Sequence, residues 1–254
     1  MSSDSMSTDR VHIEHLTKYF GDKMVLDDVN LSVPNHSVVC LIGASGSGKS
    51  TLLRCVNDLE EYDAGTVYLD GIPTYDDRFG RNEIHKRIGI VFQAYNLFPH
   101  MNVLDNITLA PRKVHGVPKK QSEARARELL ELFGLQGFEK AYPEQCSGGQ
   151  QQRVAIIRAM ATDPDVLMLD EVTAALDPEL IGGVLQIIRD LKDRGMTMIV
   201  VTHEMSFARD VADKVCFLDG GQICEEAEPE KLFSNPEHPR TLQFLQRIIE
   251  AGRL

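Results

Sequence analysis

Gly43-Ala44-Ser45-Gly46-Ser47-Gly48-Lys49-Ser50-Thr51 fits the spacing Gly-x4-Gly-Lys-Ser/Thr, with an apolar run, Val38 to Ile42, before it and a helical stretch starting near Lys49 after it. Glycines let a backbone close into a concave nest whose N–H groups point inward, and the N-terminus of the following helix adds partial positive charge. A polyphosphate suits such a nest. Lys49 can reach β- and γ-phosphates, and the Ser50 hydroxyl can ligate the Mg²⁺ that travels with a nucleotide. The stretch from Gly43 to Thr51 is therefore the candidate phosphate site.

The chain has 254 residues, 43% of them hydrophobic, enough for one large domain or a core with a subdomain. Its formal net charge of -11 argues against a general nucleic-acid binder, which meets phosphate backbones with a basic excess. Five cysteines, Cys40, Cys55, Cys146, Cys216 and Cys224, are odd in number and lack paired metal-type spacing. They read as reduced packing residues, which fits a cytoplasmic setting. No apolar stretch approaches the roughly 18 to 20 residues that span a bilayer. Met1 to Asp9 is polar, unlike a signal peptide, and is expected to form a disordered tail. Work at a membrane would go through docking to another chain.

Val11 to Leu16 alternates apolar and polar residues as a half-buried strand does, and Met24 to Val33 offers a second strand after the turn at Gly21-Asp22. Between them, Phe20 is either a core aromatic or a surface on which a nucleotide base stacks. Val38 to Ile42 is continuous and rich in β-branched residues, as expected for a strand buried on both faces of a mostly parallel sheet. Gly65 to Leu69 and Arg87 to Phe92 read as further strands, and Gln93 follows the latter either as a strand-end surface residue or as a site contact. From Ala94, prolines at Pro99, Pro111 and Pro118 and a charged helical stretch, Lys120 to Phe133, mark a mostly helical insertion. It closes with Cys146-Ser147-Gly148-Gly149-Gln150 ahead of a helix over Gln151 to Ala161. Ser-Gly-Gly before a helix is either a capped start or a second anion nest, and one triphosphate site in the same chain favours the nest.

Val166-Leu167-Met168-Leu169-Asp170-Glu171 is the second chemical centre. Four apolar residues make a buried strand, so two carboxylates fall at the carboxyl edge of the sheet, where ligands of α/β folds bind. Asp170 suits the Mg²⁺ of a nucleotide, and Glu171 is placed to polarise a water for attack on the γ-phosphate. A helix over Leu180 to Arg194 leads to another buried strand, Met196 to Val201, which ends in Thr202-His203. Gln93, Asp170 and His203 thus converge on one sheet edge, which favours a γ-phosphate contact for His203. Asp219-Gly220-Gly221 marks a hairpin turn, and a helix over Arg240 to Ala251 ends the pattern.

Taken together and in this order, these motifs resemble the ATPase subunit of ABC transporters over about Val11 to Ile249. Gly43 to Thr51 is similar to Walker A, Val166 to Glu171 to Walker B with its following glutamate, and Gln93 to the Q-loop. Cys146 to Gln150 is similar to the signature, Ala174-Ala175-Leu176-Asp177 to the D-loop, and His203 to the switch histidine. The resemblance implies an α/β fold: a P-loop NTPase core of the RecA-like kind, with an antiparallel β subdomain and a helical insertion. On that reading residues 10–93 and 164–254 form the nucleotide-binding core, and residues 94–163 the helical subdomain carrying the signature.

The family pattern also implies a head-to-tail dimer holding two ATP molecules, each between one chain's phosphate loop and the other's signature. Ser147, Gly148, Gly149 and Gln150 would then meet nucleotide on the partner, Asp177 would join the dimer seam, and Phe20 matches the adenine-stacking aromatic. Lys49, Glu171 and His203 would be catalytic, with Ser50, Gln93 and Asp170 at the Mg²⁺. Cys146, Val172 and Ala174 depart from the usual Leu, Pro and Ser, so lowered or normal ATPase activity is expected. The block from Phe92 to Pro111 resembles the subgroup serving polar amino acid importers. The expected protein is an ATPase on the cytoplasmic face of the cell membrane, bound to permease subunits and indirectly to an extracytoplasmic solute-binding protein. The rivals are a non-transport ATPase of this fold, acting as a clamp in DNA repair, translation or cell division, and a nucleotide-binding module with weak hydrolysis.

Overall fold

The computed structural model describes residues 9–76 and 80–250. The expected tail lies outside the described residues except for Asp9, which opens the first strand; Ala251 of the last expected helix also lies outside. Strands β1 (Asp9–Phe20) and β2 (Lys23–Pro34) form an antiparallel hairpin through Gly21, followed by β3 (Val38–Ile42) and α1 (Lys49–Val56). Next come β4 (Ala64–Leu69), β5 (Ile72–Pro73), α2 (Arg81–Arg87) and β6 (Ile88–Val91). The helical stretch contains α3 (Val103–Lys113), α4 (Lys119–Leu132) and α5 (Gly148–Met160). The chain returns through β7 (Val166–Asp170), α6 (Pro178–Asp193), β8 (Thr197–Val201) and α7 (Met205–Val211). It continues with β9 (Lys214–Asp219), β10 (Gln222–Ala227), α8 (Pro229–Ser234) and α9 (Pro239–Glu250).

Two sheets share the work. One is antiparallel, in the order β2-β1-β4-β5; the other runs β10-β9-β3-β8-β7-β6, parallel except for the β9–β10 hairpin. All five residues of β3 are buried, and the two-residue period of a strand sends them to two cores. Val38, Cys40 and Ile42 pack among residues of α3 to α7, whereas Val39 and Leu41 pack with α1 and the antiparallel sheet. The phosphate loop is thus delivered by a strand clamped between layers. The cysteines are free thiols; burial pushes Cys40 and Cys55 up to about 12, so neither is a thiolate at neutral pH.

Helix α3 lies in the stretch that the sequence marked only by its prolines and by a general helical character, with no helix assigned before Lys120. Asn102 caps it by accepting from the Asp105 N–H at 2.7 Å, and Pro111 sits near its C-terminal end, where only the last turn feels the missing donor. Asn106, fully buried on α3, clasps the preceding turn: its Oδ1 accepts from Phe98 N at 2.8 Å and its Nδ2 points to the carbonyls of Phe98, Met101 and Asn102 at 3.0–3.1 Å. Asn106→Ala strands these backbone groups away from water and should lower stability by about 3 kcal/mol. Urea unfolding measures it; a loss below about 1 kcal/mol would mean the turn is free to rehydrate.

Candidate active site

At the end of β3 the chain turns back on itself where no side chain fits. Gly43 has φ 150°, and a Cβ there would lie 2.1 Å from the Leu218 carbonyl oxygen. Gly48, at φ 111°, would meet Val25 O and Leu26 Cδ2, each at 2.9 Å. The loop is also gripped from outside: Gly221 N in the β9–β10 turn donates to Ser47 O at 3.1 Å, and Gly221 O accepts from Asp27 N at 2.9 Å. Lys49 opens α1 and folds over the loop, donating to Gly43 O at 3.0 Å and Ala44 O at 2.9 Å. Two of its three ammonium hydrogens are used there. Burial lowers the Lys49 pKa, against the pull of Glu171 and Asp170.

The carboxyl edge brings the acidic pair to the same place. Ser50 Oγ donates to Asp170 Oδ1 at 2.9 Å. Burial raises the Asp170 pKa; the Ser50 hydrogen bond opposes this and the Glu171 charge adds to it. A nearby cation would relieve that penalty. The hydroxyl of Ser50, the carboxylate of Asp170 and the amide of Gln93 form an oxygen set of the kind Mg²⁺ accepts, with further positions left to water and phosphate. Among the described residues no cluster of three or more His, Cys, Asp or Glu could hold a metal by itself.

Glu171, just past β7, has φ 48°, a left-handed backbone that is unusual for a glutamate. Its N–H donates to Val201 O at 3.0 Å, which holds the residue between β7 and β8. Its Oε1 lies 3.0 Å from His203 Nε2 and 3.9 Å from Lys49 Nζ. An ionised carboxylate only accepts, so the imidazole N–H at Nε2 is the donor. Three residues that the sequence scatters over the chain therefore meet around one oxygen.

A cavity of about 370 Å³ opens beside them, lined by Phe20, Lys23, Gly46, Lys49, Gln93 and Glu171 among others. Phe20 is 48% exposed on its rim, which rules out the core alternative, and Lys18 Nζ lies 4.7 Å from its ring centre. An adjoining cavity of about 530 Å³ is lined by Ser50, Arg54, Gln93 and Asp170, so Gln93 borders both. A further groove of about 540 Å³ between β2 and β10 presents Asp27, Asp28, Glu225 and Glu226, which would repel a polyphosphate. The sequence reading missed Lys23 and Arg54. Arg54 lies four residues after Ser50 on α1, hence on the same helix face, and that spacing was the available signal.

Ser147, Gly148, Gly149, Gln150 and Asp177 line neither cavity beside the phosphate loop. Ser147 caps α5: its Oγ accepts from Gln150 N at 3.4 Å while Gln150 Oε1 accepts from Ser147 N at 2.8 Å. The two glycines lie within the first turn of α5, not ahead of the helix as the sequence reading had it. Their N–H groups belong to the four that an α-helix leaves without an internal acceptor. Cys146 is buried with Sγ donating to Tyr142 O at 3.6 Å, and Val172 packs into the helical core. Both departures from the family pattern are filled by packing.

The fold and this edge define a P-loop nucleotide-binding α/β protein. Comparison with protein families matches residues 26–174 to the ABC transporter family, and the chain belongs to that family. It is 50% identical over 239 residues to the glutamine transport ATP-binding protein GlnQ of Geobacillus stearothermophilus, covering 94% of this chain and 99% of the relative. It is 49% identical over 246 residues to the L-cystine transport system ATP-binding protein TcyN of Escherichia coli (strain K12), covering 94% and 98%. Among solved structures, the dimeric ATP-binding cassette MJ0796 in a post-hydrolysis state bound to ADP and Pi matches with TM-score 0.75 and 34% identity, over 86% of this chain and 98% of that one.

Proposed function

We propose that this chain is the ATP-hydrolysing subunit of an importer for a small polar solute, most simply a polar amino acid. The observation that carries it is the meeting of Lys49, Glu171 and His203 at the mouth of the glycine-lined loop. The phosphates of ATP would lie along the loop N–H groups, and the adenine on Phe20. Mg²⁺, which Ser50 and Asp170 would hold with Gln93 nearby, would supply neutralisation of the phosphate charge. Glu171 would orient a water and take up its proton as the water oxygen bonds to the γ-phosphorus and the bond from that phosphorus to the β–γ bridging oxygen breaks, the bridging oxygen leaving with ADP and the γ-phosphoryl group becoming phosphate. Lys49 turns its remaining hydrogen to the γ-phosphate, and His203 holds the Glu171 carboxylate in line.

Ser147 to Gln150 would complete the site of a second copy, which accounts for a donor array standing away from its own cavity. The same reading divides the chain into a core over residues 10–93 and 164–254 and a helical subdomain over residues 94–163. Among the described residues no helix is long and apolar enough to cross a membrane, so the transport path would belong to permease partners, with a solute-binding protein delivering the solute. The relatives' names favour an amino acid as that solute. Intact Lys49, Asp170, Glu171 and His203 weigh against a module that binds nucleotide without hydrolysing it.

The test is uptake of labelled glutamine, cystine, arginine and glutamate in cells whose only copy of this chain carries Lys49→Ala. Phosphate release by the purified protein in Mg·ATP is measured beside it. Uptake of one of these solutes should fall at least about tenfold and phosphate release to background. Normal uptake of all four would exclude this solute class, and undiminished phosphate release would remove Lys49 from the site.

A further inference from the structure

Gln93, the helix α5 and the turn from Ala174 to Asp177 lie on separate stretches of chain, yet one side chain bridges them. Tyr95 follows Gln93 by two residues, and its hydroxyl donates to Ala175 O at 3.2 Å. The same hydroxyl oxygen would stand 2.8 Å from a Cβ at Gly148, closer than real Cβ atoms come. Gly148 therefore makes room for the phenol, a reason for glycine that is separate from phosphate approach. Burial and the charge of Asp177 raise the Tyr95 pKa, so the hydroxyl keeps its proton and remains a donor.

The other end of Tyr95 is fixed from α5. Arg158 donates to Asn96 O at 2.7 Å and to Tyr95 O at 3.2 Å, with its guanidinium 5.9 Å from the Phe98 ring centre. Burial lowers the Arg158 pKa, so these carbonyl bonds supply solvation that the guanidinium loses on leaving water. Phe98 is in turn held by Asn106. With its backbone anchored on one side and its hydroxyl on the other, Tyr95 has little freedom to slide.

We propose that Tyr95 is a positioning residue that ties the segment after Gln93 to the Ala174–Asp177 turn across Gly148. A change at Gln93 would thereby be felt at the surface that Ser147 to Gly149 and Asp177 offer to a second copy. That consequence rests on the function proposed above; the tie itself does not. Ala174 stands where the family pattern has Ser, and the Tyr95 hydroxyl supplies a polar hold on the neighbouring carbonyl.

In the full chain without nucleotide, Tyr95→Phe should speed amide hydrogen exchange over residues 174–176 roughly three- to tenfold, the weight of one ordinary hydrogen bond. Gly148→Ala should do the same, because its methyl displaces the hydroxyl. The double variant should exchange no faster than the faster single one, since both remove one contact. ATP turnover of Tyr95→Phe should fall by a similar factor with KM unchanged, because Tyr95 lines neither cavity at the phosphate loop. Unchanged exchange in Tyr95→Phe, or effects that multiply in the double variant, would overturn the tie. Faster exchange with unaltered kcat would overturn the positioning role. A wild type that never turns ATP over would instead count against the ATPase reading, while the exchange rates still decide whether the tie exists.

Discussion

Glu171→Gln is expected to lower steady-state ATP turnover by about 100-fold or more while leaving ATP binding intact. Glutamine keeps the length of the side chain and its oxygen can still accept from His203, so the 3.0 Å contact survives. What disappears is the negative charge that polarises a water. If Ser147 to Gln150 complete the site of a second copy, slowed hydrolysis should also trap the assembled state. Light scattering in Mg·ATP would then find the variant as a dimer and the wild type returning to monomer as it turns over. Phosphate release followed in parallel separates the cases. Turnover within about threefold of wild type would remove Glu171 from the chemistry. Two inert monomers with ATP bound would move the reading towards a binding module, or towards a site that forms only on the permease.

Gly43→Ala should be the most damaging single methyl in the molecule. A left-handed backbone costs an L-residue roughly 1–2 kcal/mol, and Gly46 at φ 78°, with open space around its missing Cβ, shows that part alone. At Gly43 the added carbon would also stand 2.1 Å from the backbone of Leu218, which cannot rotate away as a side chain would. Relief requires β3 and β9 to part, and their pairing is what joins the β9–β10 hairpin to the rest of the sheet. We expect Gly46→Ala to lower stability by about 1 kcal/mol and Gly43→Ala by about 3 kcal/mol or more, with loss of nucleotide binding in the latter. Equal melting temperatures for the two variants would show that the loop reseats itself at no expense to the sheet.

Residues buried on every side were legible in the sequence, and those whose place depends on a distant partner were not. Val38 to Ile42 has the bounds expected, because a continuous apolar run between turn residues has few alternatives. The β9–β10 hairpin was equally plain from Asp219-Gly220-Gly221. Helix α3 was hidden by Pro111, since its stability comes from packing and from the Asn106 clasp, neither of which leaves a local pattern. The short helices α2, α7 and α8 were missed for the same reason. At the site, the strand ends announced Asp170, Glu171 and His203, whereas the left-handed turn that aims Glu171 at His203 needs β8 beside it. Nothing in the sequence singled out Tyr95, because Ala175 and Gly148 lie far along the chain.

The Gly220-Gly221 turn has a practical consequence. Tight hairpin turns are where affinity tags, grafted epitopes and new chain ends are usually placed, on the ground that surface loops absorb insertions. Here the turn is wedged: its backbone bonds to Ser47 on one side and Asp27 on the other, and Val25 O would lie 2.6 Å from a Cβ at Gly221. An epitope grafted there would pry the antiparallel sheet from the phosphate loop. Gly116, between α3 and α4 with nothing within 4 Å of its missing Cβ, is the gentler place to attach a label.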